Sequence, residues 1–213
     1  AKKVVKSGHG SSLMINRDTA FKIVEEMANA VKIPISVKTR LGWENNDLLI
    51  DFVQWLENAW ANLITVHGRT YKQAFTGKAD FTGIYELKQN VKIPVICNGD
   101  VTGFDDGMKK IIHPMNFEKN NSNFKNLDGF MIGRASFWNP WCFLPGNYEP
   151  TLEEILSIMS LHGKLLWENK ERKGMMEARK HLVQYLHGFP WVKEYRSRLV
   201  HVESPLDISS VIE

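Results

Sequence analysis

The feature that most constrains the fold is a ten-residue pattern that occurs twice. Residues 31–40 read VKIPISVKTR, and residues 91–100 read VKIPVICNGD. In each, Val-Lys-Ile-Pro is followed by a short apolar run and then by polar residues. Residues 61–70 (ANLITVHGRT) and 127–136 (LDGFMIGRAS) have the same order without the proline. Because short runs that are apolar on both faces are typical of parallel strands covered by helices, we predict four parallel strands.

Amphipathic patterns lie between the predicted strands. Residues 17–31 have apolar side chains at helical spacing, and Asp18 is the predicted N-cap. Residues 46–59 and 80–91 follow the same scheme. Alternation of helices and strands predicts an α/β fold with a parallel sheet. Polar side chains at the carboxyl ends of the strands form the sites of (β/α) barrels and of doubly wound sheets alike, so periodicity leaves both architectures open.

The pattern changes towards the C-terminus. Residues 151–213 contain two amphipathic helical stretches and no strand pattern, and Thr151 with Glu154 fits a capping box. We therefore predict an α/β domain over residues 1–147 and a small all-helical domain over residues 151–213. The Asn- and Lys-rich segment 113–126 is predicted to be an extended loop before the last strand.

Composition excludes several classes of protein. No apolar run approaches the roughly 18 residues that cross a bilayer, and the basic N-terminal stretch lacks the apolar region of a signal peptide. Cys97 and Cys142 do not make a disulfide framework and are predicted to be small buried residues. A net charge of +3 permits an anionic partner without requiring one. We expect a cytoplasmic protein with no membrane partner and no metal site.

The strand-end motifs are more specific as an ordered set. SVKTRLGW, TVHGRT, GKAD, CNGDV, MIGRA and NPW occur in that order and are followed by EARKHLVQYLHGFP. This set resembles the bacterial tRNA-dihydrouridine synthases over nearly the whole chain. The resemblance implies the C-terminal half of a (β/α)₈ TIM barrel followed by a small all-helical tRNA-binding domain. It also implies an enzyme, monomeric at full length, that uses FMN and NADPH to reduce the C5–C6 bond of particular uridines in tRNA.

The resemblance assigns two groups of residues. The predicted FMN-binding residues are Lys38, His67, Asn98, Gly99, Asp100, Gly133 and Arg134. A lysine there stabilises negative charge on the reduced flavin ring, while glycine and arginine suit a phosphate group. The predicted tRNA-binding residues are Arg40, Arg69, Arg179, Lys180, His181, Lys2 and Lys3.

The chain departs from the family pattern at its start. In the family, the proton-donating cysteine precedes a stretch like AKKVV, and this sequence opens at that alanine. The resemblance therefore implies that the cysteine and the first barrel strands lie upstream, and it assigns no catalytic residue to this chain. We expect these residues alone to be unstable and inactive. Two alternatives stay open: another FMN-dependent barrel oxidoreductase acting on a small pyrimidine such as dihydroorotate, and a non-catalytic RNA-binding remnant.

Tryptophan stands where the family pattern has glycine at three turns: Trp60, Trp138 and Trp191. A tryptophan at a turn that favours glycine strains a positive-φ or closely packed position. One hypothesis explains all three residues, namely that the source organism reads the codon UGA as glycine. It requires a UGA codon at each of the three positions.

Overall fold

The structure is a computed structural model that describes residues 2–118, 124–190 and 192–212. The chain divides into two compact units, Ala1–Gly133 and Arg134–Glu213. This division precedes the boundary predicted from the sequence, so residues 134–147 belong with the second unit. Within the described residues, no helix combines the length and apolar character needed to cross a membrane.

The first unit contains a four-stranded parallel sheet. Its strands are β1 (Ile35–Arg40), β2 (Ala61–His67), β3 (Val95–Asn98) and β4 (Gly129–Met131), in the spatial order β1-β2-β3-β4. All four lie within the predicted segments, which confirms the α/β fold with a parallel sheet. The strands follow one another in sequence order, whereas a doubly wound sheet reverses its order at a switch point.

The helices of the first unit alternate with these strands. They are α1 (Lys2–Lys6), α2 (Arg17–Ala30), α3 (Leu49–Asn58), α4 (Thr82–Asn90), α5 (Phe104–Ile111) and α6 (Pro114–Glu118), with a 3₁₀ helix at Gly10–Met14. The sheet packs its apolar side chains against this layer in one core, in which Val53, Ile64, Val66, Ile84, Leu87 and Val95 are fully buried.

The two Val-Lys-Ile-Pro strands begin in the same way. Proline cannot donate a hydrogen bond and is therefore tolerated at the start of a strand. The next amide is satisfied by a side chain from a later segment: Ile35 N donates to Asn62 Oδ1 at 2.8 Å, and Val95 N donates to Asp128 Oδ2 at 2.8 Å. The repeated sequence pattern thus corresponds to a repeated way of entering the sheet.

Two local predictions were wrong. The N-cap of α2 is Asn16, whose side chain accepts a hydrogen bond from Thr19 N, and Asp18 lies in the first turn instead. Segment 113–126 is not extended throughout, because α6 occupies Pro114–Glu118. Residues 119–123 of that segment lie outside the described residues.

The second unit is built on α7 (Leu152–Tyr185), α8 (Lys193–Leu199) and α9 (Pro205–Ile212), preceded by 3₁₀ helices at Arg134–Ser136 and Pro140–Phe143. The predicted capping box is confirmed, because Thr151 and Glu154 each accept a hydrogen bond from the other's amide. Non-helical backbone at Glu171 (φ 49°, ψ −133°) separates α7 into the two predicted helical stretches. The core of the second unit contains Met159, Met175, Ala178, Leu182, Leu199 and Ile208.

The turn after α3 has the backbone conformation expected from its sequence. Trp60 adopts φ 71°, and its amide donates to Glu57 O at 3.0 Å, as at a left-handed helix C-cap that favours glycine. Its side chain is 69% exposed. Trp138, by contrast, is not among the described residues with positive φ, and its ring stacks on His187 at 5.3 Å. Trp191 lies outside the described residues. Of the two tryptophans that the structure describes, Trp60 has the positive φ on which the strain argument rests.

Replacing Trp60 with glycine is expected to raise the free energy of unfolding by about 1 kcal/mol. Left-handed backbone costs a residue with a Cβ roughly 1–2 kcal/mol, and the greater chain entropy of glycine offsets part of that gain. Trp60→Ala is the matched control because it removes the indole and keeps the Cβ, so its stability should stay close to wild type. Chemical denaturation of the three proteins measures the difference. A glycine variant no more stable than the alanine variant would contradict the argument.

Candidate functional site

Polar side chains form a row across the carboxyl ends of the strands. Arg40 on β1 pairs in register with His67 on β2, His67 with Asn98 on β3, and Asn98 with Met131 on β4. Lys38 precedes Arg40 by two residues and therefore shares its face of the sheet. The sheet thus brings together four of the predicted site residues: Lys38, Arg40, His67 and Asn98.

The opposite face of the same strands is the helix-covered core. Val66 and Cys97 are fully buried there, each one residue before a member of the polar row. Burial raises the pKa of the Cys97 thiol to about 11. Cys142, in the second unit, is also a buried free cysteine with a pKa raised by burial. The prediction that both cysteines are small buried residues is confirmed.

Two cationic side chains lie at the end of β1. Burial and the neighbouring Arg40 lower the pKa of Lys38. Arg40 is half-buried, and its Nη1 donates to Thr70 O at 2.9 Å and to Ala74 O at 2.8 Å, while its guanidinium lies 5.6 Å from the Phe75 ring centroid. Arg40 therefore holds the 70–80 loop, and its contact with tRNA stays a prediction.

His67 is buried and neutral. The residue is 8% exposed. Burial, followed by the nearby Arg40, Lys38 and Arg69, lowers its pKa from 6.5 to about 4, against the opposing effect of Asp100. Protonation would add another positive charge to a cluster that already holds three. The imidazole is therefore available as a neutral hydrogen-bonding group at neutral pH.

Arg69 has a different environment from the one predicted. Its side chain is 3% exposed and forms a salt bridge with Asp100 at 2.6 Å. It also donates to Thr76 O at 3.3 Å and to Gly77 O at 2.7 Å. The guanidinium is buried and donates to protein acceptors, and its contact with tRNA stays a prediction.

The loop after β3 packs against His67. Asn98 donates from Nδ2 to Met131 O at 2.8 Å, and Asp100 accepts hydrogen bonds from Arg69 and from Ala79 N. Gly99 has φ 116°, and a Cβ there would approach the His67 ring to 2.8 Å. Glycine is therefore required at this position for both conformation and space.

Gly133 and Arg134 fall on either side of the division between the units. Gly133 follows β4, and a Cβ placed on it would lie 4.0 Å from Asn98 Nδ2, which puts its backbone near the polar row. Arg134 opens the second unit and is exposed in the 3₁₀ helix Arg134–Ser136. The assignment of both residues to a phosphate group stays a prediction.

The predicted tRNA-binding residues of the second unit are not equivalent. Arg179 is half-buried, donates from Nε to Val202 O at 2.9 Å and has Nη2 3.8 Å from Glu203. Lys180 is exposed. The half-buried ring of His181 lies 5.4 Å from that of His162. Lys180 is therefore the best exposed of the three for contact with a phosphate backbone.

One of the predicted tRNA-binding residues at the N-terminus is exposed. Lys3 is exposed on α1, whereas the side chain of Lys2 lies outside the described part of the structure. A cavity of about 440 Å³ is lined by β1, the 3₁₀ helix Gly10–Met14 and α2, and Lys38 and Arg40 are among its lining residues. Across the described residues, no group of three or more His, Cys, Asp or Glu side chains is arranged to hold a metal ion.

Sequence reasoning assigned no functional residue to the loop at residues 70–80. Phe75 is 65% exposed at its surface, with its ring 6.5 Å from that of His67. The sequence did contain a signal for the salt bridge between Arg69 and Asp100 that anchors this loop. These two residues have the same 31-residue separation as His67 and Asn98, which pair in register. Opposite charges at equivalent positions after two neighbouring strands indicate a salt bridge.

Comparison with known proteins decides the family. The sequence model of the family described as dihydrouridine synthase matches residues 1–211. The chain belongs to the dihydrouridine synthase family. The resemblance of the ordered motifs is thus confirmed, and the polar row belongs to a dihydrouridine synthase chain.

Several curated relatives of this dihydrouridine synthase chain are similar over most of its length. A probable tRNA-dihydrouridine synthase 1 of Synechocystis sp. is 35% identical over 95% of this chain and 57% of its own length. Probable tRNA-dihydrouridine synthases of Rickettsia conorii and Mycobacterium leprae are each 34% identical, over 100% and 95% of this chain and 64% and 54% of their own lengths. The chain therefore spans rather more than half the length of these relatives.

Proposed function

We propose that this chain provides the cofactor- and tRNA-binding side of a tRNA-dihydrouridine synthase, an oxidoreductase that reduces the C5–C6 bond of uridine in tRNA. The names of the relatives support the reaction class and the substrate. The sequential parallel strands support the (β/α)₈ barrel as the scaffold, because barrels place their sites at the carboxyl ends of such strands. The single observation that carries the proposal is the registered row formed by Arg40, His67 and Asn98, with Lys38 on the same face.

The residues present fit FMN. Lys38 supplies a cation for the negative edge of the reduced ring, and His67 supplies a neutral donor beside it. The absence of a side chain at Gly99 and at Gly133 leaves backbone close to His67 and Asn98 respectively. When bound, FMN supplies the hydride that it receives from NADPH.

The chain's own residues bind and orient in this proposal. Lys38 and Asn98 hold the cofactor at the strand ends, and Arg40 anchors the adjoining loop through Thr70 O and Ala74 O. Lys180 and Lys3 are the exposed cations proposed to meet the tRNA backbone. Neither Cys97 nor Cys142 serves as a proton donor here, because both thiols are buried with raised pKa values.

Titration of the protein with FMN, followed by quenching of flavin fluorescence, tests the cofactor site. Lys38→Met is expected to weaken FMN binding about tenfold or more, since a hydrogen bond to a charged group contributes about 1.5–3 kcal/mol. Lys92→Met is the matched control, because Lys92 is an exposed lysine just before the amino end of β3. Equal affinities of the two variants would contradict the assignment of Lys38.

A parallel gel shift with unmodified tRNA separates the proposed function from its alternatives. Binding of both FMN and tRNA supports the synthase. FMN binding without tRNA binding points to an oxidoreductase acting on a small pyrimidine, and tRNA binding without FMN points to a non-catalytic RNA-binding protein. Either single result would overturn the proposal.

A further inference from the structure

We propose that Arg69, anchored by Asp100, is a positioning residue that fixes His67 as the neutral tautomer carrying its proton on Nδ1. The Nδ1–H group is then the donor offered to the cofactor, a second step that rests on the proposed function. The first step, the assignment of the His67 tautomer, requires no cofactor and is argued from the contacts of three side chains.

The tautomer follows from the identity of the neighbour. Arg69 Nη1 lies 3.3 Å from His67 Nε2. A guanidinium has only hydrogen-bond donors and keeps its proton in proteins. Nε2 must therefore accept, so in a neutral imidazole the proton is on Nδ1.

The guanidinium is held by other partners. Asp100 accepts from Arg69 Nη2 at 2.6 Å, and the carbonyls of Gly77 and Thr76 accept from Nη2 and Nε. The Asp100 carboxylate is itself held by Ala79 N at 2.8 Å. These contacts fix the plane of the guanidinium, so that Nη1 remains directed at His67.

The imidazole is confined as well. The Gly99 backbone packs against its Cδ2 edge so closely that a Cβ would lie 2.8 Å away. Among the described residues, the hydrogen bond at Nε2 is the one that the ring makes, which leaves Nδ1–H without a protein acceptor. With Lys38, Arg40 and Arg69 nearby, the neutral form of His67 is favoured. A confined neutral ring with one nitrogen occupied presents a single donor.

Heteronuclear NMR of the protein with ¹⁵N-labelled histidine tests the proposal near pH 7. The His67 signals, assigned by their loss in His67→Gln, are expected to show a protonated Nδ1 and an unprotonated Nε2, with about a tenfold or greater excess of that tautomer. A His67 with a protonated Nε2 in the wild-type protein would overturn it. This measurement needs no cofactor, so it is independent of FMN binding.

Variants of Arg69 add a readout that a purely structural role would not change. Arg69→Met should shift His67 towards the Nε2-protonated tautomer, and Arg69→Lys, which keeps a donor, should restore the Nδ1–H form in part. Circular dichroism identifies variants that fail to fold. If neither variant folds, the NMR spectrum of the wild-type protein alone tests the tautomer of His67. Retention of the full Nδ1–H preference in a folded Arg69→Met protein would contradict the role of Arg69.

FMN titration of the same proteins tests the second step separately. If Nδ1–H is the donor to the cofactor, Arg69→Met should weaken FMN binding several-fold while Arg69→Lys loses less. A wild-type protein with the Nδ1–H tautomer that binds no FMN would overturn the proposed function and leave the tautomer assignment intact.

Discussion

Replacing Arg69 with methionine is expected to lower the free energy of unfolding by about 3 kcal/mol. Removing one partner of a buried ion pair leaves the other charge uncompensated, which costs about 3–5 kcal/mol, and the partial exposure of Asp100 places the effect at the lower end. The substitution also leaves the carbonyls of Thr76 and Gly77 without the donors that hold the 70–80 loop. Urea denaturation of wild type and variant measures the loss.

A matched control lies on the same loop. Lys72 pairs with Glu44 at 2.7 Å, but the two side chains are 60% and 64% exposed, so Lys72→Met should cost less than about 1 kcal/mol. Both substitutions remove one cation and one ion pair, so the contrast measures the buried environment of Arg69, including its hydrogen bonds to Thr76 O and Gly77 O. Similar losses for Arg69→Met and Lys72→Met would show that the Arg69 pair is hydrated in solution and would remove the basis for its anchoring role.

The elements that the sequence predicted well depend on local patterns. The four strands were found because each is a short apolar run followed by polar residues, and neighbouring parallel strands align their carboxyl ends. The capping box at Thr151 and Glu154 and the positive φ at Trp60 depend on neighbours only a few residues away. These features are therefore determined by residues that are close together in the sequence.

The buried environment of Arg69 depends on distant residues, which explains why its local motif did not predict it. The motif around Arg69 does not itself indicate the Asp100 carboxylate 31 positions further along, which shows only when the register of β2 and β3 is compared. The contacts of Arg179 also depend on distant residues, because Val202 O, which accepts a hydrogen bond from its Nε, is 23 positions away. The prediction of the α2 cap was wrong for another reason. Asparagine and aspartate are equally good caps, and the position of the first turn selects Asn16 over Asp18.

Stability should fall as the pH is lowered from 6.5 to about 4, and His67 is the group expected to contribute most. Its pKa is about 4 in the folded protein and near 6.5 in the unfolded chain, so over this range the unfolded state binds the additional proton. Stability therefore decreases with decreasing pH. Since one pKa unit corresponds to about 1.4 kcal/mol, the loss attributable to His67 is about 3 kcal/mol at full development.

The comparison with His67→Gln isolates this contribution. Glutamine stays neutral and offers Arg69 an acceptor, whereas in wild type the incoming proton meets Lys38, Arg40 and Arg69 with Asp100 as the opposing charge. Histidines of the second unit with lowered pKa values, His162 among them, titrate in both proteins and cancel in the difference. Denaturation curves measured between pH 7 and pH 4 should therefore show a smaller loss of the free energy of unfolding for His67→Gln than for wild type. The expected difference at pH 4 is about 3 kcal/mol. Parallel pH profiles for the two proteins would mean that His67 titrates normally in the folded state, and the buried cationic cluster would not exist in solution as described.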